Sequence, residues 1–301
     1  MNQKTLQNKY TFEGKGLHTG KFAHMTIGPA PAGTGIRFRR TDLGTGAFVD
    51  AVAGNVSSTA RSTTISKGRV SVCTIEHVLS ALTGLDIDNA LIDIDSPEVP
   101  ILDGSARMYV EAMGQDPLVE QDAPRKWIEI REEITVRDRK SGSYVRITPA
   151  EDLSYDVTID FNSRVLGVQD VHWDPSLDYS NEIGPCRTFC FLHEIEMLLR
   201  FGLVKGGDVE NAIVIVEKPV TARKLSRMAK ALGQPEISVS PSGYLSNLEL
   251  RFPDECGRHK LLDIMGDLRL AGGFLKANVC AYKPGHKINT ITAKTIREQI
   301  I

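Results

Sequence analysis

A histidine and two aspartates near the C-terminal end of the chain have the spacing of a metal site. His259, Asp263 and Asp267 follow one another at i, i+4 and i+8, so on a helix they lie on one face about one turn apart. The apolar residues among them have helical spacing and predict that one side of this helix is buried: Leu261, Ile264, Met265 and Leu268. An imidazole and a carboxylate at i, i+4 can bind one divalent cation, whereas a solvated ion pair is the alternative.

A catalytic metal site needs a third protein ligand and an open position for water. Among the seven histidines, His77 stands out because it follows Glu76 at the start of a predicted helix. If His77 binds the metal, Glu76 lies beside the bound water, where the cation and the helix N-terminus favour the ionised carboxylate that a general base requires. Capping of the helix start is the alternative interpretation of this Glu-His pair.

A further histidine, His286, follows a Lys-Pro-Gly turn, which predicts that a loop presents its imidazole. Paired with a carboxylate, such an imidazole would stay protonated and could act as an acid or as an oxyanion stabiliser. Asp267, one turn beyond Asp263, is the candidate partner. An exposed histidine without a role is the alternative.

The elements that must position these groups are short strands and a few helices. Strands are predicted at 23–27, 36–40, 62–66, 90–95, 127–136, 144–148 and 155–161. Helices are predicted at 74–84 with Thr74 as the N-cap, at 104–113, at 224–232 and from about Asp254. A charged stretch at 120–126 separates two series of elements that follow a similar order, which predicts a domain boundary. The polar residues 218–247 predict a surface excursion.

Composition excludes several classes of protein. The 301 residues carry 36 Lys and Arg against 38 Asp and Glu, so no bulk basic charge favours nucleic acid as a partner. The five cysteines form no CxxC pair, and residues 1–13 lack the apolar core of a signal peptide. No apolar run approaches the length of a membrane span. We expect a cytoplasmic protein with reduced thiols and no stable membrane insertion.

In combination, these residues and their neighbours resemble the zinc-dependent UDP-3-O-acyl-N-acetylglucosamine deacetylases of lipid A biosynthesis. The motifs that carry the resemblance occur in the order of that family, from residue 14 to residue 286: Gly14–Gly20, Thr74–His77, Asp88–Asn89, Pro97–Ala106, Arg187–Phe189, Arg258–Asp263, Gly266–Leu268 and Lys283–His286. Each motif is weak alone, but the set is specific and covers essentially the whole chain.

The resemblance implies an activity and roles for named residues. The activity is hydrolysis of the N-acetyl group to give UDP-3-O-acyl-glucosamine and acetate, the committed step of lipid A biosynthesis. The implied ligands of one Zn²⁺ per chain are His77, His259 and Asp263. The other implied roles are Glu76 as general base, His286 as proton donor or oxyanion stabiliser, Asp267 as its orienting carboxylate, Lys260 as a nearby cation, Thr188 as an oxyanion-stabilising hydroxyl and Phe189 as an apolar wall.

The resemblance also implies how the amphiphilic UDP-sugar binds. Asp160 and Phe161 match the place where the family sets an aromatic ring against the uridine, and Lys283 is expected to meet a phosphate. Phe161 as plain strand core is the competing interpretation. An acyl passage is expected in an insert near 189–217, lined by Leu192, Ile195, Leu203 and Gly207. An ordinary amphipathic core helix is the alternative for that segment.

The expected fold is α+β, with two similar domains at 1–122 and 127–301. Each is expected to be a mainly antiparallel sheet packed with helices, and the active site should lie between the two helical layers. The chain is expected to be a monomer, or one part of a polypeptide fused to a hydroxyacyl carrier-protein dehydratase. Two other functions stay open, a non-catalytic nucleotide-sugar binding module with a structural metal and a zinc amidohydrolase with a different acylated substrate.

Overall fold

The computed structural model describes residues 1–195, 211–231, 234, 236–246 and 248–300. Within these residues the chain has a mixed α+β fold, as predicted, with two main sheets and helices packed between them. Leu203 and Gly207, two of the residues expected to line an acyl passage, lie outside the described residues.

The first half of the chain contains ten strands and two α-helices among its described elements. In chain order these are β1 Asn2–Thr5, β2 Tyr10–Lys15, β3 Phe22–Pro29, β4 Ile36–Arg40, β5 Phe48–Asp50, β6 Val56–Ser58, β7 Thr64–Lys67, β8 Val70–Cys73, α1 Glu76–Gly84, β9 Ala90–Ile94, α2 Arg107–Met113 and β10 Val119–Pro124. The buried side chains of β4 and β9 alternate with more exposed ones, which is the period expected of a sheet with one covered face.

The second half follows with a similar order of elements. These are β11 Trp127–Glu129, β12 Ile134–Asp138, β13 Ser143–Pro149, β14 Ser154–Asp160, β15 Val168–Trp173, α3 Tyr179–Glu182, β16 Phe189–Phe191, β17 Ile213–Ile215, α4 Ala222–Ala231, α5 Glu255–Leu268, β18 Phe274–Tyr282 and α6 His286–Ile300. The strand predicted at 127–136 is two strands, β11 and β12, while the other predicted elements differ mainly at their ends.

The two main sheets share one topology. Their strand orders are β2-β3-β9-β4-β5 and β12-β13-β18-β14-β15, and β11 also pairs with β18. In each sheet the central strand, β9 or β18, is antiparallel to one neighbour and parallel to the other. Helix α1 directly precedes β9, just as α5 precedes β18, so the similar element order in the sequence reflects a repeated architecture.

Helices α1 and α5 pack against each other between the two sheets. The contact is close because α5 has a glycine at the crossing, where a Cβ at Gly266 would lie 2.0 Å from the carbonyl oxygen of Glu76. Nearly all of α5 is buried, including its row of polar residues. The solvated helix face considered for these residues is therefore wrong.

We expect Gly266→Ala to destabilise the protein by about 2 to 3 kcal/mol, because the methyl group would force the two helix backbones apart. Chemical denaturation of the purified variant measures this loss. The matched control is Gly54→Ala, since Gly54 is exposed and a Cβ there meets nothing within 4 Å. Equal stability of the two variants would contradict the close helix crossing.

A buried arginine joins the two halves near residue 125. The guanidinium of Arg125 forms hydrogen bonds with both carboxylate oxygens of Asp88, one of them at 2.7 Å, and also pairs with Asp86. Its Cζ lies 4.1 Å from the ring centroid of Phe274, and the Cζ of Arg269 lies at the same distance. Residues 120–124 of the charged stretch belong to β10, paired with β1, rather than to an irregular linker. The domain limits 1–122 and 127–301 stay a prediction.

The segment predicted as a surface excursion instead contributes to a second, smaller core. Its buried apolar side chains pack with those in and beside β16 and β17. The residues are Met228, Ala229, Ile237 and Leu245 with Leu192, Val214 and Val216.

Across the part of the chain that the structure describes, no helix has the length and apolar character needed to cross a membrane. All five cysteines are free thiols.

Candidate metal and active site

The crossing of α1 and α5 brings three predicted metal ligands together. The ligand atoms of His77, His259 and Asp263 all lie within 4.8 Å of one another. The Oδ1 atom of Asp263 is 3.4 Å from Nε2 of His259 and 3.8 Å from Nε2 of His77. All three side chains are buried. His77 and His259 are 182 positions apart in the sequence. They come together because α1 from the first half and α5 from the second half supply them.

The chemistry of this cluster fits a metal ion. Oδ1 of Asp263 is buried and has no hydrogen-bond partner among the described residues, which is costly for a carboxylate unless a cation satisfies it. Nδ1 of His259 lies 3.0 Å from the carbonyl oxygen of Cys186. If Nδ1 donates there, Nε2 keeps its lone pair for a metal. Lys260 donates to the other oxygen, Oδ2 of Asp263, at 2.8 Å.

The protonation states of the three residues also suit metal binding. Burial lowers the pKa of His77 to about 3 and lowers the pKa of His259 as well. Burial by itself would raise the pKa of Asp263, but Lys260 and His259 hold it well below its usual range. Two neutral imidazoles and one carboxylate are the forms that bind a divalent cation.

Glu76, the first residue of α1, lies beside this cluster. Its Oε2 accepts a hydrogen bond from the backbone N–H of Thr63 at 3.0 Å, and its Oε1 is 3.9 Å from Nε2 of His286. Burial raises the pKa of Glu76 to about 7. A carboxylate with this pKa can both accept and release a proton near neutral pH.

The prediction that Thr74 caps α1 is wrong. The residue before the helix is Ile75, which makes no side-chain capping bond. Thr74 has a φ of 60° and donates its hydroxyl to Glu98 at 2.9 Å. Buried Glu98 also accepts from the backbone N–H groups of His18 and Thr19, at 2.8 and 2.7 Å. Through these hydrogen bonds, Glu98 connects the Gly14–Gly20 motif to the start of the helix that carries Glu76.

His286 and Asp267 form the predicted pair, with 3.0 Å between Nδ1 and Oδ2. The prediction of a loop is wrong in one respect, since His286 is the first residue of α6. The amide of Asn289, on the same helix, also donates to Oδ2 of Asp267, at 2.9 Å. Burial by itself would lower the pKa of His286, but Asp267 and Glu76 raise it to about 9. The imidazole is therefore cationic at neutral pH and carries a proton on both nitrogens.

Phe189 and Lys260 lie against the cluster of candidate metal ligands. The rings of Phe189 and His259 have centroids 6.4 Å apart, and Nζ of Lys260 is 5.4 Å from the Phe189 centroid. Thr188 is held through its backbone, since its N–H donates to the carbonyl of Gly104 at 2.8 Å. This bond connects the Pro97–Ala106 motif to the segment that carries Thr188.

The residues expected to meet the nucleotide lie together at the end of β14. Oδ2 of Asp160 is 3.1 Å from Nζ of Lys283. Phe161, the next residue, is 43% exposed, so the interpretation as strand core is wrong. Its ring contacts Phe189 and Phe191, with centroids 5.4 and 5.8 Å away.

A cavity of about 810 Å³ opens beside Phe161, and its lining includes Phe191, Leu192, Val216 and Lys218. Leu192 is buried, whereas half-buried Ile195 packs against the smaller core. Both therefore belong to the small core, and Leu192 borders the cavity as well.

Several residues of the site carry no signal that sequence reasoning could use. Thr63, Glu98 and the carbonyl of Cys186 form hydrogen bonds to groups that are distant along the chain. Gly266 belongs to the Gly266–Leu268 motif, yet only the helix crossing explains why a glycine is needed at this position.

An α+β fold in which two imidazoles and a carboxylate converge beside a buried glutamate and a His-Asp pair defines the class of candidate metal-dependent hydrolases. More particularly, the family described as LpxC, UDP-3-O-acyl N-acetylglycosamine deacetylase, matches residues 3–232 and 222–298. The chain belongs to this family.

Relatives of two kinds match the chain. A bifunctional enzyme LpxC/FabZ of Porphyromonas gingivalis is 42% identical over 298 residues, which cover 99% of this chain and 64% of the relative. The enzyme of the same name from Bacteroides thetaiotaomicron is 40% identical, with 100% and 65% covered. A UDP-3-O-acyl-N-acetylglucosamine deacetylase of Cellvibrio japonicus is 38% identical, with 99% and 91% covered. The chain spans less than two thirds of the length of the two bifunctional relatives.

Proposed function

We propose that this chain is a zinc-dependent deacetylase that hydrolyses the N-acetyl group of UDP-3-O-acyl-N-acetylglucosamine, the committed step of lipid A biosynthesis. The products are UDP-3-O-acyl-glucosamine and acetate. The observation that carries the proposal is the unpartnered, buried Oδ1 of Asp263, which faces two imidazoles beside Glu76. Family membership and the name of the Cellvibrio japonicus relative support the choice of substrate.

His77, His259 and Asp263 would hold one Zn²⁺ per chain. Two imidazoles and one carboxylate are a ligand set of catalytic zinc sites, which leave one position open. When bound, Zn²⁺ supplies a Lewis acid that polarises the acetamide carbonyl and lowers the pKa of a coordinated water.

Glu76 is the proposed general base, because its carboxylate accepts the proton of the water that attacks the acetamide carbon. Its pKa of about 7 leaves a substantial ionised fraction at neutral pH. The hydrogen bond from Thr63 occupies Oε2 and leaves Oε1 on the side of His286. After the attack, the protonated Glu76 can return its proton to the departing amine.

His286, oriented by Asp267, is the proposed proton donor or oxyanion stabiliser. Its cationic ring has Nδ1 on Asp267, so Nε2–H is the donor that remains for the substrate. The hydroxyl of Thr188 and the ammonium of Lys260 are proposed to stabilise the same developing negative charge. Phe189, whose ring centroid lies 6.4 Å from that of His259, is proposed as an apolar wall of the site.

The substrate is proposed to lie across Phe161 and the neighbouring cavity. The exposed ring of Phe161 offers a stacking surface for uracil beside Asp160, and Lys283 meets a phosphate. The acyl chain is proposed to enter a passage within residues 189–217, where Leu192, Ile195, Leu203 and Gly207 would line it. An amphiphile of this kind needs both an apolar passage and a few local cations.

We propose domains at 1–122 and 127–301, with the active site between their helical layers. The chain would act in the cytoplasm, where its five free thiols stay reduced. It would be a monomer or part of a polypeptide fused to a dehydratase, and the bifunctional relatives support the second form.

Acetate release from UDP-3-O-acyl-N-acetylglucosamine, measured together with metal content, tests the function. We expect turnover with one zinc per chain and much slower turnover of UDP-N-acetylglucosamine, which lacks the acyl chain. Equal rates on both compounds would favour an amidohydrolase with another acylated substrate. Binding without acetate release would favour a nucleotide-sugar binding module.

We expect kcat to fall as the pH rises through about 9, because this is where His286 loses its proton. The pKa of His286 is raised above the ordinary value, so the cation persists throughout the neutral range and is lost only on the alkaline side. His286→Ala should remove this alkaline limb and lower kcat by about 10²- to 10⁴-fold. Rates of the zinc-loaded protein across this range measure both effects.

His24→Ala is the matched control, because His24 is an exposed histidine that pairs with Asp95 at the surface. It should keep the alkaline limb and the wild-type rate. A wild-type pH profile in His286→Ala would refute the role of His286.

A further inference from the structure

Thr63 contacts both Glu76, the proposed general base, and Asp267, the carboxylate that orients His286. It lies in the turn before β7 and is fully buried. Its backbone N–H donates to Oε2 of Glu76 at 3.0 Å, and its hydroxyl donates to Oδ1 of Asp267 at 2.5 Å. Glu76 belongs to α1 and Asp267 to α5, so one residue fixes both helices at their crossing.

The hydroxyl of Thr63 completes the hydrogen bonds of a buried carboxylate. Oδ2 of Asp267 faces Nδ1 of His286 and the amide of Asn289, while Thr63 supplies the donor for Oδ1. Donors on both oxygens fix the plane of a carboxylate, because rotation would break bonds on both sides. The direction of the His286 ring follows from this plane, since its Nδ1 bonds to Asp267.

The backbone N–H of Thr63 fixes the other side of the site. It holds Oε2 of Glu76, which leaves Oε1 3.9 Å from Nε2 of His286. The separation of base and imidazole is thus set through a single residue that is not among the clustered metal ligands. From this geometry we infer that Thr63 is a positioning residue. It fixes the position of Glu76, in the first half, relative to the Asp267–His286 pair, in the second half. The inference rests on the proposed function.

Thr63→Val removes the hydroxyl while keeping a similar volume and the backbone N–H. We expect kcat to fall by about 10- to 100-fold, as when outer-shell partners of other sites are lost. KM should stay within about twofold and zinc content near one per chain, because neither ligands nor substrate contacts change. Thr63→Ser, which restores the hydroxyl, should recover kcat to within about threefold of wild type. Thr63→Ala provides the same comparison if the valine variant does not fold.

A double-mutant cycle tests whether Thr63 acts through Asp267. In an Asp267→Ala background, Thr63→Val should lower kcat by less than about twofold, because the group that it orients is absent. Thr64→Val makes the same change in the next residue, which is half-exposed on β7, and should match wild type. An undiminished effect of Thr63→Val in the Asp267→Ala background would overturn the inference, and so would unchanged kcat in the single variant.

A readout that needs no turnover separates this inference from the proposed function. The Nδ1–H proton of His286, assigned by its loss in His286→Ala, should resonate far downfield in proton NMR because it is hydrogen-bonded to Asp267. Its resonance should shift in Thr63→Val but not in Thr64→Val. An unchanged resonance overturns the inference even if the enzyme is active. Absence of acetate release by the wild-type protein, with the shift observed, contradicts the proposed function alone.

Discussion

Glu76→Gln should abolish nearly all turnover and leave the metal site loaded. The amide keeps the size of the carboxylate, and its oxygen can still accept the hydrogen bond from Thr63. It cannot accept a proton from water, so we expect kcat to fall by about 10²- to 10⁴-fold. Acetate release and metal analysis on the same preparation measure the two quantities. Zinc content should stay near one per chain because Glu76 is not among the clustered ligands.

The control for this change is Glu111→Gln, since the side chain of Glu111 on α2 is 64% exposed. This variant should match the wild-type rate. Unchanged turnover in Glu76→Gln would remove the assignment of a general base. It would then favour a metal of structural function, although such sites ordinarily have four protein ligands.

Asp263→Asn should weaken metal binding by more than about 100-fold, which is the upper end of the cost of losing an outer-shell partner. The reason is that Asp263 supplies the only anionic ligand of the cluster described by the structure. The change also leaves the Nζ of Lys260 without the carboxylate that it contacts at 2.8 Å. A half-buried ammonium without its partner adds a cost to folding of the metal-free protein.

Competition with a chelator measures the affinity in that variant, and thermal unfolding of the metal-free form measures the second effect. Asp152→Asn, at an exposed turn position, is the control and should change neither quantity. Zinc affinity equal to that of the wild type in Asp263→Asn would show that the ion binds elsewhere.

Helical periodicity predicted the part of the site that one element carries. His259, Asp263 and Asp267 have the spacing of one face, and α5 does present them together. Periodicity could not predict what covers that face, because a polar row reads alike whether water or another helix lies against it. The burial depends on Gly266, which admits the backbone of Glu76 at the crossing.

Contacts between distant groups were beyond prediction from composition and spacing. The bond from Thr63 to Asp267 joins residues 204 positions apart, and the contact of His259 is with a backbone carbonyl, which every residue has. The prediction of a loop at His286 was wrong for a local reason, because Pro and Gly occur before helix starts as well as in turns. Thr74 does not cap the helix because its hydroxyl donates to Glu98 instead. Glu98 lies in the segment that follows β9.

The position of β9 and β18 in the middle of their sheets has a consequence for synthesis on the ribosome. Each is the last strand of its sheet to be made, and its two neighbours cannot join until it appears. The first sheet can close once residue 94 has emerged, whereas the second must wait for residue 282. During that interval β13 and β14 present open edges, and exposed edges are where chains associate wrongly. Aggregation of nascent chains should therefore begin in the second half, before the site exists.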